Sequence, residues 1–193
     1  MTYTAKTFTI PTLVGISDQS VEEHIKLYQG YVKHFNLIGE TIKALETSEG
    51  DHTYQISELT RRLSFEYNGI KNHEYYFKSL ESGPKEINTE SILYTKIVAT
   101  WGSFENWLDH FKKVALTRGI GWAMFSYDTQ TDTLINHWVD EQHLGQLLGV
   151  TPILCLDMWE HSYVADYHPS GKKQYVEDFF KNLNWSIIEK NMQ

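Results

Sequence analysis

The segment Pro152-Ile153-Leu154-Cys155-Leu156-Asp157-Met158-Trp159-Glu160-His161 ends an apolar run with a carboxylate and an imidazole four residues apart. One helical turn of separation can aim both groups at a single point, as neighbouring ligands of a metal ion require. The same spacing also serves a surface or capping pair, so further ligands are needed to make a site. His24 and His73 are candidates, each on the apolar stripe of a helical segment. There an imidazole must find a partner for its nitrogens or incur a desolvation cost of about 1–3 kcal/mol. A lone histidine in that setting is ordinarily a hydrogen-bonded core residue. In combination, three imidazoles and one carboxylate suit iron, manganese or zinc and leave a position open for water or substrate.

These residues need elements to carry them. Ser17 or Asp18 can cap a long amphipathic helix running to about Leu45, with Val21, His24, Ile25, Tyr28, Tyr31, Val32, Phe35 and Ile38 on one side. Glu46 to Thr53 reads as a hairpin loop, and Leu59, Leu63, Ile70, His73 and Phe77 mark a second helix antiparallel to the first. Gly83-Pro84 breaks the pattern, and shorter helices are expected over 88–98 and 103–117, the latter capped by Ser103. GWAMFSYD and TLINHWVD, joined by a polar turn at Thr129 to Asp132, form a β-hairpin, and the run from Pro152 supplies a third strand. Tyr167 to Lys173 is a loop and Tyr175 to Leu183 a closing helix. The fold class is therefore α+β: an N-terminal antiparallel helical hairpin over 1–82, then a domain over 83–193 with a three-stranded antiparallel sheet and surrounding helices.

Bulk properties narrow the function. A chain of 193 residues can bury a substantial core, and 41% hydrophobic with 22% charged residues is ordinary for a folded protein. With 25 acidic residues against 17 Lys plus Arg, the net charge of −8 argues against the phosphate-neutralising surface of a nucleic-acid binder. The single cysteine, Cys155, lies in the expected buried strand and reads as a core thiol, which fits a reducing compartment. No segment has the length of a membrane span, and the opening MTYTAKTFTIPTL lacks the apolar core of a secretion signal, so a cytoplasmic location is expected.

The residues also carry a family resemblance. Asp157-Met158-Trp159-Glu160-His161-Ser162-Tyr163 is similar to the D-x-W-E-H-x-Y signature of the iron/manganese superoxide dismutase family. EEHIKLYQGYV, NGIKNHEYYF, WGSFENW, GIGWAMFSYD and YVEDFFKNLNW resemble further landmarks of that family in the same order, over nearly the whole chain. The resemblance implies that His24, His73, Asp157 and His161 bind one iron or manganese ion, with a slight lean to iron. It implies that Tyr31 is the gateway tyrosine of the substrate channel and that His143 is a solvent-binding histidine as in archaeal-type members, with Gln142 as its rival. Gly69 stands where some iron-type members carry a glutamine, leaving room for a side chain from elsewhere. Trp122 and Trp159 resemble the aromatic wall of the pocket. Glu160 resembles the residue that crosses a homodimer interface to bond the opposite subunit's His161, orienting it as a carboxylate partner does.

The chain also departs from the family pattern. His24 and Tyr31 are seven residues apart, one fewer than usual, and Leu27 and Tyr28 replace the usual pair of histidines. Val164 replaces a tyrosine that normally bonds one of those histidines across the dimer, so both partners are lost together. His168 stands in place of the usual arginine of the C-terminal loop, with Lys172 and Lys173 nearby. The implied activity is dismutation of superoxide; the alternatives are an inactive structural subunit of the same fold and a metal-dependent hydrolase, which would favour zinc without redox cycling.

Overall fold

The structure is a computed structural model describing residues 2–192. Ser17, in extended conformation, caps helix α1 (Asp18–Thr47) by accepting a hydrogen bond from the Ser20 N–H, which satisfies one of the donors a helix start leaves unpaired. The buried residues of α1 are Ser20, His24, Tyr28, Val32, Phe35 and Ile38, a single stripe at helical spacing. After a short turn the chain reverses into α2 (Thr53–Leu80). Tyr31 packs against Phe65, while Tyr28 and His24 pack against Phe77, so contacts climb one helix as they descend the other. The pair is antiparallel, as the periodicity predicts.

Beyond the break at Gly83-Pro84 come α3 (Ile92–Trp101) and α4 (Phe104–Ala115). The expected start of α3 at residue 88 is corrected to Ile92. Asn88 forms a turn, its side chain accepting from the Glu90 N–H and its carbonyl from the Ser91 N–H, and Ser91 is the cap. Gly102, at φ 84°, closes α3 in the left-handed conformation that a glycine adopts without strain, and Ser103 caps α4 as expected.

Strands β1 (Gly121–Asp128), β2 (Thr133–Asp140) and β3 (Val150–Asp157) form an antiparallel sheet in the order β2-β1-β3. The β1–β3 register shifts between Phe125 and Ser126, opposite Pro152, a residue that has no N–H to give a ladder. Successive residues of β1 face opposite ways. Trp122 packs on His73 and Tyr76 of α2, and Phe125 on Trp101 and Trp107 of α3 and α4, so the sheet lies between the helical pair and the second set of helices. After β3 a 3-10 turn, Glu160–Ser162, leads through a loop to α5 (Lys172–Lys181) and a short α6 (Trp185–Ile188) that no hydrophobic period marks. The Ser17 N–H donates to Asp166, tying the loop after the 3-10 turn to the start of α1. Among the described residues no helix is long and apolar enough to cross a membrane.

Candidate metal centre

The antiparallel pair places His24 on α1 opposite His73 on α2, and β3 delivers Asp157 beneath them. His161 follows one turn later on the 3-10 segment. Each of the four offers one ligand atom, and these atoms lie within 4.8 Å of one another. The Asp157 Oδ2 stands 3.1 Å from His24 Nε2, 3.1 Å from His161 Nε2 and 3.5 Å from His73 Nε2. Those separations match the edges of a coordination polyhedron: with metal–ligand bonds of about 2.0–2.2 Å, neighbouring donors lie roughly 3.0–3.5 Å apart. The four residues gathered from one spacing and two isolated imidazoles are thus brought to one point.

The surroundings fit a cation. His73 Nδ1–H donates to the Gly69 carbonyl at 2.6 Å, which fixes the tautomer and turns a bare Nε2 toward the cluster. That Nε2 is buried and has no hydrogen-bond partner among the described residues, a costly state that a metal ion would relieve. Burial pushes the His73 imidazole down to about 3, helped by the neighbouring His24 ring, and burial likewise lowers His24. Both imidazoles are neutral at neutral pH, the charge state in which a histidine ligates a metal. Burial alone would raise the Asp157 carboxyl, but attraction from His161 and hydrogen bonds from His161 and His24 outweigh it and hold the group below the usual carboxylate range. Its other oxygen accepts the Trp159 backbone N–H at 2.8 Å, so the carboxylate is oriented from both sides.

Around the ligands stands an aromatic shell. Trp122 meets His73 edge-on with ring centroids 4.9 Å apart, and Trp159 stacks on His161 at 5.7 Å. Tyr76 and Phe77 each lie 4.9 Å from His24. Phe77 was visible on the helical stripe, whereas Tyr76, bonded to Tyr175 behind the site at 3.2 Å, gave no comparable signal.

The shortened interval between His24 and Tyr31 is absorbed by an unbroken α1 and by Gly69. The Tyr31 ring lies 5.1 Å from the His73 ring and occupies the space a side chain at 69 would take, since a Cβ there would stand 2.6 Å from Tyr31 Cδ1. Tyr28 turns away from the centre: its hydroxyl accepts from the Lys6 N–H and bonds Glu74.

Of the two adjacent candidates on the loop after β2, the hydrogen bonds run through Gln142. Its Nε2 donates to the Tyr31 hydroxyl at 2.9 Å, and its Oε1 accepts from the Trp122 indole at 2.9 Å. His143 instead lies edge-on to Phe65 at 5.7 Å. The Gln142 carbonyl is held by the Asn72 amide at 3.0 Å. Asn72 beside His73 gave no sequence signal. Burial, with the Asp157 and Glu66 carboxylates, holds the Tyr31 phenol well above its ordinary range. Glu160 and His168 are both exposed. Lys172 is directed elsewhere, donating to the Thr117 carbonyl and lying over Trp138.

Comparison with known proteins agrees with this geometry. Residues 89–191 match the family described as iron/manganese superoxide dismutases, C-terminal domain. The chain is 30% identical over 186 residues to a superoxide dismutase [Fe] of Aquifex aeolicus, covering 94% of this chain and 86% of the relative. It is 34% identical over 176 residues to a superoxide dismutase [Fe] of Cupriavidus metallidurans, covering 90% and 86%. It is 35% identical over 171 residues to superoxide dismutase [Mn] 1 of Halobacterium salinarum, covering 88% and 83%. A buried cluster of three histidines and an aspartate, on a helical pair and the end of an antiparallel sheet, thus joins a match over most of the sequence: the chain belongs to the iron/manganese superoxide dismutase family.

Proposed function

We propose that the protein converts superoxide to dioxygen and hydrogen peroxide with one iron or manganese ion held by His24, His73, Asp157 and His161. The observation that carries this reading is the bare, buried Nε2 of His73 converging with three other ligand atoms inside an aromatic shell. The chemistry such an ion supplies is one-electron exchange, by which one superoxide leaves as dioxygen and a second, with two protons, as hydrogen peroxide. The protein supplies placement and protons. The Trp122 indole can only donate, so it fixes the Gln142 amide with its oxygen toward Trp122 and its nitrogen toward Tyr31. Tyr31 therefore accepts from Gln142 and keeps its own O–H free to donate into the site. In this reading Tyr31 and Gln142 are the groups that meet substrate or solvent, Trp122 and Trp159 wall the pocket, and the role expected of His143 passes to Gln142.

The complete ligand set weighs against an inactive structural subunit. A hydrolytic use of the site is separated by zinc. Zinc-loaded protein should bind metal in full yet leave superoxide untouched, while the iron or manganese forms consume it; equal turnover with zinc would refute redox chemistry.

A homodimer is the assembly this reading favours. Glu160 and Val164 are exposed beside His161, whose side chain keeps 23% of its surface accessible in the single chain. A partner's Glu160 would complete the orientation of that imidazole. Sedimentation should give twice the chain mass, and Glu160→Ala should weaken the association. Division at residues 82/83 rests on the turn after α2, where Ser82 and Gly83 take φ of 62° and 80°. The buried Cys155 thiol is consistent with a cytoplasmic location.

A further inference from the structure

The loop that carries Gln142 is held at two points by one side chain. Asn72, buried on α2 next to the ligand His73, donates from Nδ2 to the Gln142 carbonyl at 3.0 Å. Its Oδ1 accepts from Gln146 Nε2 at 3.1 Å. Between these points the loop turns tightly, with Asp140 and Leu144 exchanging backbone hydrogen bonds and Gly145 at φ 89°. A buried amide can present either its oxygen or its nitrogen to a neighbour, and the neighbours decide which. The Gln142 carbonyl can only accept, so it takes the Asn72 N–H and leaves the Asn72 oxygen to be held by the Gln146 N–H. Without that donor the buried Asn72 oxygen loses its partner in the loop, and the amide shifts in search of another donor, drawing its N–H off the carbonyl. The Gln142 backbone would then lose its anchor, and with it the aim of the side chain at Tyr31.

We propose that Gln146 is a positioning residue for the Gln142–Tyr31 pair, acting through the orientation of the Asn72 amide. This rests on the reading of Gln142 and Tyr31 given above. Gln146 is only partly buried, on the wall of a groove of about 700 Å³ bounded also by Lys71, Tyr75 and Leu148. It can therefore be altered without emptying the core, which Asn72 cannot.

The test uses metal-loaded protein and azide, a small anion that titrates open metal positions optically. Gln146→Leu, similar in size but without a donor, should keep full metal occupancy yet shift azide affinity by about 3- to 10-fold, below the roughly 10- to 100-fold typical of residues bonded directly to ligands. Gln146→Glu, an acceptor facing the Asn72 oxygen, should shift it at least as far. The shift should run in the direction set by Gln142→Ala, and the double variant should go no further than Gln142→Ala alone, as expected of residues on one path. An affinity within about 2-fold of the parent in both Gln146 variants, or effects that add to that of Gln142→Ala, would overturn the proposal. Should Gln142→Ala itself leave azide binding unmoved, the role of Gln142 falls. The clamp is then judged on a crystal structure of metal-loaded Gln146→Leu: displacement of the Gln142 amide from Tyr31 upholds it, and an unchanged contact overturns it.

Discussion

At the scale of single residues, the site depends on nitrogens being neutral and aimed. His73 is the clearest case, because its Nδ1–H is committed to Gly69 and its Nε2 has no other partner. Replacing His73 with Ala should cut bound metal per chain by at least about 10-fold on dialysis against chelator, the order expected when a ligand rather than its support is lost; retained metal would remove His73 from the ligand set. Gln142→Ala should lower turnover by about 10- to 100-fold with metal content nearly unchanged, while His143→Ala should have the smaller effect, both read as rate per bound ion. The reverse order would return the role to His143. Asp157 and His161 were legible from spacing. His24 and His73 were legible only as candidates, because periodicity places an imidazole on an apolar stripe without saying what lies opposite. The proposal of Gln142 over His143 rests on contacts that no local pattern announces, among them a hydrogen bond from Asn72, 70 residues away.

At the scale of elements, α1 and α2 act as the two jaws of the site, and Gly69 sets their closeness. A methyl group at 69 would collide with the Tyr31 ring. Gly69→Ala should therefore cost about 1–3 kcal/mol in denaturant unfolding, as overpacking does, and displace Tyr31. A stabilised variant, as the better helix propensity of alanine alone would give, would show that the ring moves freely. Strand boundaries and the caps of α1 and α4 could be read in advance because local residues decide them: the Thr129–Asp132 turn, Ser17 and Ser103. The start of α3 could not, since Asn88 competes with the helix for its own backbone. The four-residue α6 is too short to show a period.

At the scale of the whole molecule, the buried centre links metal, pH and stability. In the metal-free protein, the depressed values of His24 and His73 mean that the unfolded chain takes up protons which the folded chain refuses. The stability His73 contributes is present above about pH 6.5 and is lost as pH falls toward about 3, with a slope of up to about 1.4 kcal/mol per pH unit, and His24 acts in the same direction. The melting temperature of metal-free protein should accordingly fall across that window, and His73→Gln should flatten the fall; a variant as acid-sensitive as the parent would place the cause elsewhere. Bound metal should raise the melting temperature at pH 7, because the ion binds the assembled site and not the unfolded chain. The α+β architecture was legible from hydrophobic periods and turn residues, and the packing of the sheet between two helical groups followed only from the side chains of β1 that face each way.

The most direct test of the central claim is the rate of superoxide loss in stopped flow for one metal-free preparation reloaded separately with iron and with manganese, each rate divided by bound metal. The account predicts turnover that scales with occupancy for at least one of the two ions and disappears when His24, His73, Asp157 or His161 is replaced. Full occupancy of the site by both ions with superoxide decaying no faster than in buffer would contradict it.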